Sequence, residues 1–458
     1  MTWKKWTLLI ILVLLLVGVI SFYRWFSASP APIDHNAAYR AVEERLVDQS
    51  HDAGAWSVVT GLVKRYDREL EGEMRRIAAS LGVELDALDI THAFLDEAEA
   101  DEIGADRAGS RELLDWYVAS DIPAKLADAL ALPGARPASL TEQGPISFET
   151  LLDQEMIGAR RLSQAEGMRM RLAIERGDAP TAAACARTIV TLARLQDAQP
   201  LLITLLVGQA IWMQAQGAAE DAIADAMITP ELARALLPVF TDQLAGEPRR
   251  SRALLEAEVV GFRSTIDRLY SGDFDMSALG MGGGMPPRIL WANHKTVDTL
   301  AVSYFDAMLE RLEAGPATTD EPELPFDDSD PVQRVRLAPL TFALPAIDRS
   351  LSTVFQSRCR TGAAVLHMAL AVHAADTGTL PQSLGELVTS GVLDELPTDP
   401  FAPDGAYRYR LDPQSPGGFV LYSVGPDGAD DGGSGQAWPE RMRDIPTGED
   451  VLFTGAGG

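Results

Sequence analysis

Apolar residues recur at spacings of three and four from Asn36 onward, as at Trp56, Val59, Leu62, Val63 and Tyr66, and again at Leu113, Leu114, Tyr117 and Val118. That period lines one face of an α-helix, so residues 27–314 are read as a large α-helical domain. Pro123, the run Leu132-Pro133-Gly134-Ala135-Arg136-Pro137 and Glu142-Gln143-Gly144-Pro145 separate helices within it. Ala182 to Gln216 is its most apolar stretch. Arg187, Arg194, Gln196, Asp197 and Gln199 interrupt the first half, and Pro200 to Met213 is too short to cross a bilayer, so these are core helices. A further helix is expected over Glu247–Leu269, with Pro248 in its first turn, and another over Arg288–Glu313.

The pattern changes at Gly315. Pro316, Pro322, Pro325 and Pro331 stand among Asp320, Glu321, Glu323, Asp327, Asp328 and Asp330, which marks residues 315–345 as an acidic, Pro-rich linker. Beyond it, Ile347–Asp376 reads as one long helix stopped by Gly378, followed by a short helix over Ser383–Ser390. Pro397, Pro400 and Pro403 then exclude regular structure as far as Ala406. Tyr407–Leu411 alternates strictly, Phe419–Val424 is apolar, and Asp412–Gly418 between them has turn chemistry. The pair predicts an antiparallel hairpin, with Val451–Phe453 as a last short strand, so residues 346–458 form a small α+β domain.

One segment stands apart. Thr7–Tyr23 is almost wholly apolar, follows Lys4 and Lys5, and is bordered by Trp3, Trp6, Tyr23 and Trp25. Its length and its aromatic borders suit a single-pass transmembrane helix. Residues 1–26 are therefore read as a cytoplasmic stub and anchor in the inner (cytoplasmic) membrane, with the bulk of the chain extracytoplasmic. A cleaved signal peptide is the competing reading, with Ser27-Ala28-Ser29 supplying small residues; Pro30 and Pro32 just past the available cuts favour the uncleaved anchor. The expected fold class is mainly α: an N-terminal transmembrane helix, a large helical domain and a small α+β C-terminal domain with a hairpin.

Charge narrows the partners. With 66 acidic against 39 basic residues, the net charge of −27 repels phosphate backbones and anionic lipid headgroups, which argues against nucleic acid and for divalent cations or basic proteins. Two cysteines, Cys185 and Cys359, exclude a multi-bridge framework and a Cys-based zinc site, and two buried free thiols are expected. His367 and His373 are six apart and fall on different faces of their helix, and none of the six histidines makes a His-Glu-x-x-His pair. No nucleophile elbow, Walker loop or dinucleotide fingerprint occurs. Glu247, Glu256 and Glu258 lie among Arg249, Arg250, Arg252 and Arg263, a spacing that surface helical pairs explain, with a buried carboxylate–arginine cluster as the alternative.

The order of long helix, short helix, Pro-rich crossing, two strands and acidic Gly loop resembles the C-terminal headpiece of the major pseudopilin of type II secretion systems. The matching segments are Leu380-Pro381-Gln382-Ser383-Leu384, Leu396-Pro397-Thr398-Asp399-Pro400-Phe401, Tyr407–Leu411 and Tyr422-Ser423-Val424-Gly425-Pro426-Asp427-Gly428. The resemblance covers about residues 350–453. It implies calcium bound by the loop after the hairpin, at Asp427, Asp430 and Asp431, with Asp450 as a fourth ligand from the returning segment. Oxygen donors among Gly425, Gly428, Gly432 and Gly433 agree with that chemistry; a plain solvent-exposed turn uses the same residues. The long helix here is internal and carries Asp348, Arg349, Arg358 and Arg360, so pilus assembly is not implied. The function expected is that of a membrane-tethered extracytoplasmic scaffold or binding protein, held to the bilayer through residues 7–23 and recognising an envelope protein. The alternative is a cell-envelope hydrolase using carboxylates of the helical domain.

Overall fold

The computed structural model describes residues 27–46, 54–95, 97–132, 154–196, 201–273, 286–319, 322–327, 329–341, 344–437 and 449–453. Helices dominate them. The first group comprises α1 (His35–Leu46), α2 (Gly54–Leu81), α3 (Glu97–Ile103), α4 (Arg107–Ala119) and α5 (Ile122–Leu130). Next come α6 (Gln154–Glu175), α7 (Ala179–Gln196), α8 (Leu202–Ala224), α9 (Pro230–Ser271) and α10 (His294–Ala314). The chain continues through α11 (Pro331–Arg336), α12 (Ala338–Thr341), α13 (Leu344–Thr377) and α14 (Gly385–Thr389).

Local chemistry sets several of the starts. Asp106, Asp178, Thr229, Asn293 and Asp330 each accept a backbone N–H from the first turn of the helix they precede. α6, α7 and α8 pack against one another, and α9 runs past α7 to meet α1, α10 and α13. One apolar cluster extends from Val59 on α2 to Phe453 at the end of the chain's last strand, with Trp212 and Phe240 edge to face at 4.8 Å inside it. A smaller cluster of Tyr39, Val42, Leu201, Ala253 and Ala257 seats α1 on α9.

α9 departs from the expected boundary. It runs straight through Pro238 and Pro248, so Pro248 is interior and not part of a first turn. Proline has no N–H to give the carbonyl one turn back. The Arg250 guanidinium reaches back beside this break, donating to the Gln243 carbonyl at 3.3 Å and its side-chain oxygen at 2.8 Å.

The tail carries β1 (Arg408–Leu411), β2 (Phe419–Ser423), β3 (Gly435–Ala437) and β4 (Asp450–Leu452) in the order β1-β2-β4-β3. β1 pairs antiparallel with β2, placing Arg408 opposite Tyr422 and Leu411 opposite Phe419. β4 adds antiparallel to β2, and β3 adds parallel to β4. At Gly362 on α13 a Cβ would collide with the Tyr407 hydroxyl; the bare position lets Tyr407 lie on the helix and donate to the Cys359 carbonyl at 2.6 Å.

The expected hairpin and last short strand are present, and β3 extends them to a mixed four-stranded sheet. One part of the expected fold class is corrected. The expected transmembrane helix is not found among the described residues: no helix there is long and apolar enough to cross a membrane. The run 7–23 on which that expectation rested lies outside the described residues. Even the apolar α8 carries buried Gln209, Gln216 and Glu220, the last two bonded to each other and to α13.

Candidate functional site: the acidic loop and the buried polar seams

The structure brings the four expected metal ligands to one corner of the sheet, where the protein engages carboxylate oxygens of Asp427, Asp430 and Asp450. Asp450, wholly buried at the start of β4, accepts the N–H groups of Asp431 at 3.2 Å, Gly433 at 2.6 Å and Ser434 at 3.3 Å. Asp430 accepts from the Tyr422 hydroxyl and the Gly432 N–H on one oxygen and from Arg408 Nε on the other, each at 3.0 Å. Asp427 accepts the Ala429 N–H at 3.0 Å. Backbone donation from Gly432 holds Asp430 below its ordinary range, whereas partial desolvation and the fields of Asp450, Asp427 and Asp430 push Asp431 up. A calcium ion needs roughly six to eight free oxygens. Donors already occupy positions on Asp430 and Asp450, and among the described residues no three His, Cys, Asp or Glu side chains are placed to hold a metal. The arrangement instead closes the loop as a hydrogen-bonded cap on the sheet.

A polar seam runs between α8, α9 and α13. Trp212 Nε1 donates to Thr361 at 3.0 Å, Ser357 donates to Gln216 at 3.2 Å, and the Gln216 amide donates to Glu220 at 2.8 Å. Arg360 grips Glu220 through two nitrogens, and Arg358 Nε meets Glu247 at 2.7 Å. Glu247 is therefore buried and paired across helices, contrary to the surface reading, while Glu256 does pair near the surface with Arg252 at 2.9 Å and with Arg45. Glu258, also buried, accepts the Leu202 N–H at 3.0 Å at the start of α8; burial raises its carboxyl. That contact puts an acceptor where the first turn of the helix has unpaired donors.

Two further clusters are built the same way. Glu166 on α6 accepts the Tyr117 hydroxyl at 2.7 Å and Arg169 at 3.0 Å, and burial raises it together with the neighbouring Cys185 thiol. Cys185 and Cys359 are free and buried. At the other end of the body, Asp267 on α9 lies between two rings, 2.6 Å from His35 Nε2 and 2.7 Å from His294 Nε2. His294 in turn stacks on Tyr270 at 4.6 Å. Burial alone would raise Asp267, but the two histidines outweigh it and hold the carboxyl below its ordinary range.

The clefts lie elsewhere. Two cavities of ≈ 10 Å³ each, about the room of one water, touch Glu247 in the α8–α9–α13 seam. A cleft of ≈ 870 Å³ is lined by Asp101, Asp106, Arg107, Arg111 and Glu175, and one of ≈ 540 Å³ by Tyr66, Asp67, Asp89, Arg161 and Gln164. The Tyr66 hydroxyl beside the second has no hydrogen-bond partner. Of the residues singled out in sequence, Asp427, Asp430, Asp431 and Asp450 converge, and Glu247, Glu256 and Glu258 separate into three unrelated contacts. Glu166 and Glu220 were missed, although each is a lone acid on the apolar face of its helix, a signal available in the sequence.

No family model, no curated protein and no solved structure matches this chain.

Proposed function

We propose that the protein is a membrane-tethered extracytoplasmic scaffold or binding protein, held at the inner membrane through its apolar segment 7–23, with its pseudopilin-like tail as part of the surface that meets an envelope protein. One observation carries this reading. The buried acids Glu166, Glu220, Glu247 and Glu258 are each spent on joining or capping helices, and none of them lines the clefts of ≈ 870, ≈ 700 or ≈ 540 Å³. Such pairs fix the relative placement of long helices, which a scaffold requires. The acidic surface adds solubility and favours a basic partner face. The test is topological: a reporter fused after Gly458 of the full chain in a bacterial host should be active outside the cytoplasm, and the chain should fractionate with membranes. Activity of the reporter inside the cell, or recovery of the intact chain in the cytosol, would overturn the reading.

A further inference from the structure

A short turn next to the start of α10 leaves two adjacent apolar side chains in solvent. Ile289 is 70% exposed and Leu290 50%, within a single turn of helix over Arg288–Leu290. The turn is firmly held. Trp291 is buried behind it, donates from Nε1 to the Pro286 carbonyl at 2.9 Å and meets Tyr270 edge to face at 5.6 Å. The Ala292 carbonyl accepts the Tyr270 hydroxyl at 2.6 Å, and its N–H donates to the Arg336 carbonyl at 2.7 Å. Arg288 packs over the Tyr270 ring at 5.4 Å. A turn anchored by this many contacts presents Ile289 and Leu290 outward by construction.

Its neighbour explains why. The Lys295 N–H donates to the Ala28 carbonyl at 3.1 Å, and His35, at the start of α1, is drawn in by Asp267 beside His294. In sequence, the apolar run with its border of Tyr23, Arg24 and Trp25 ends three residues before Ala28. Two exposed aliphatic residues flanked by Arg288 and Lys295, fixed within a few residues' reach of a bilayer tether, have the composition of an interfacial contact: apolar groups for the acyl boundary and cations for the headgroups. Of the nearby acids, Asp298 is paired with Arg263 at 2.7 Å and Asp267 lies between the rings of His35 and His294.

We infer that residues 286–295 form a second bilayer contact, in which Ile289 and Leu290 enter the interfacial zone of the membrane and fix the orientation of the helical body on it. The inference rests on the tethered reading above. The contact makes the tether a two-point attachment, with the body unable to swing freely about residues 27–34.

The experiment uses the full chain reconstituted in vesicles of phosphatidylethanolamine and phosphatidylglycerol, carrying a polarity-sensitive dye at Ile289→Cys or, separately, at Trp25→Cys. Cys185 and Cys359 are buried and give little background. The dye at position 289 should be blue-shifted, and a nitroxide on the lipid near the headgroup should quench it several-fold more than aqueous iodide does. Iodide quenching at 289 with lipid quenching at 25 would overturn the contact and leave the tether standing. Iodide quenching at both would overturn the tether, and the contact with it. A dye at 289 shielded from both quenchers would place protein over the turn, which also overturns the inference.

Discussion

Replacing Asp399 with Asn should change how stability depends on pH, in a window set by one buried carboxyl. Asp399 sits in the crossing between α14 and β1, is 1% exposed, accepts the Phe401 N–H at 3.0 Å on Oδ1, and has no partner on Oδ2. Burial raises the group from 3.8 to about 6. Between those values the folded chain keeps a proton that the unfolded chain has released, so stability falls as pH rises through the window, and the loss is complete above it. A shift of about two units is worth about 3 kcal/mol at 1.36 kcal/mol per unit. His367 acts in the opposite sense. Burial lowers it from 6.5 to about 4, so over that range the unfolded chain holds the extra proton and stability rises with pH. The two slopes largely cancel in the wild type, and only a difference profile separates them. Urea unfolding of wild type and Asp399→Asn across this range should show the variant gaining about 3 kcal/mol relative to wild type between about pH 4 and pH 7. A difference that stays constant with pH would refute the assignment of a desolvated carboxyl at 399.

Arg360→Ala or Glu220→Ala leaves a largely buried charge unpaired and should each cost about 3 kcal/mol, whereas the double variant Glu220→Leu/Arg360→Met should recover most of it. Single costs below about 1 kcal/mol in denaturant titrations would place the pair with ordinary surface contacts. Asp267, held below its usual range, stabilises the fold at neutral pH and loses that contribution as pH falls below about 4. Asp267→Asn should therefore speed amide hydrogen exchange in α1 at neutral pH and leave α6 unchanged; equal rates in α1 would show that the histidines do not hold it. Asp450→Asn weakens acceptance of three backbone N–H groups and should lower stability by about 1–3 kcal/mol, and melts with and without chelator should superimpose. A higher midpoint in calcium would mean that the loop rearranges around the ion.

Patterning along the chain carried the helices well, because their apolar stripes are a property of the local sequence. Trp56, Val59, Leu62, Val63 and Tyr66 lie on α2, and most of that set is buried. What the pattern could not carry is the pairing of polar residues distant in sequence. Glu220 and Arg360 stand 140 positions apart, and the apolar face that marks Glu220 does not name its partner. Glu247, Glu256 and Glu258 share one stretch of α9, and helical spacing turns them toward different neighbours: Arg358, Arg252 and the start of α8. The acidic loop shows the converse. Its residues were placed together correctly, but carboxylates that hold backbone N–H groups and carboxylates that hold a cation have the same sequence signature. Orientation of the oxygens separates the two, and that depends on where β3 and β4 fall.

The division at residues 315–345 looks like a hinge in composition, yet α13 belongs to both sides of it. Successive residues of an α-helix point about 100° apart, so one turn can face several neighbours. Arg358, Ser357, Thr361 and Arg360 bond to α8 and α9, while Cys359 and Gly362 in the same two turns receive Tyr407 from the tail, and His367 reaches the Phe453 carbonyl beyond β4. A tail swinging away on α13 would have to expose Glu220 and Glu247 unpaired, and a tail peeling off α13 would have to uncover Tyr407 and the buried Asp399. Both routes leave charge or hydrogen-bonding groups without partners, at a cost of several kcal/mol. The linker therefore joins parts of one packed unit, and a partner that grips the four-stranded sheet also pulls on α9, whose far end carries the Asp267 clasp and, through α1, the stretch leading to the apolar N-terminal run.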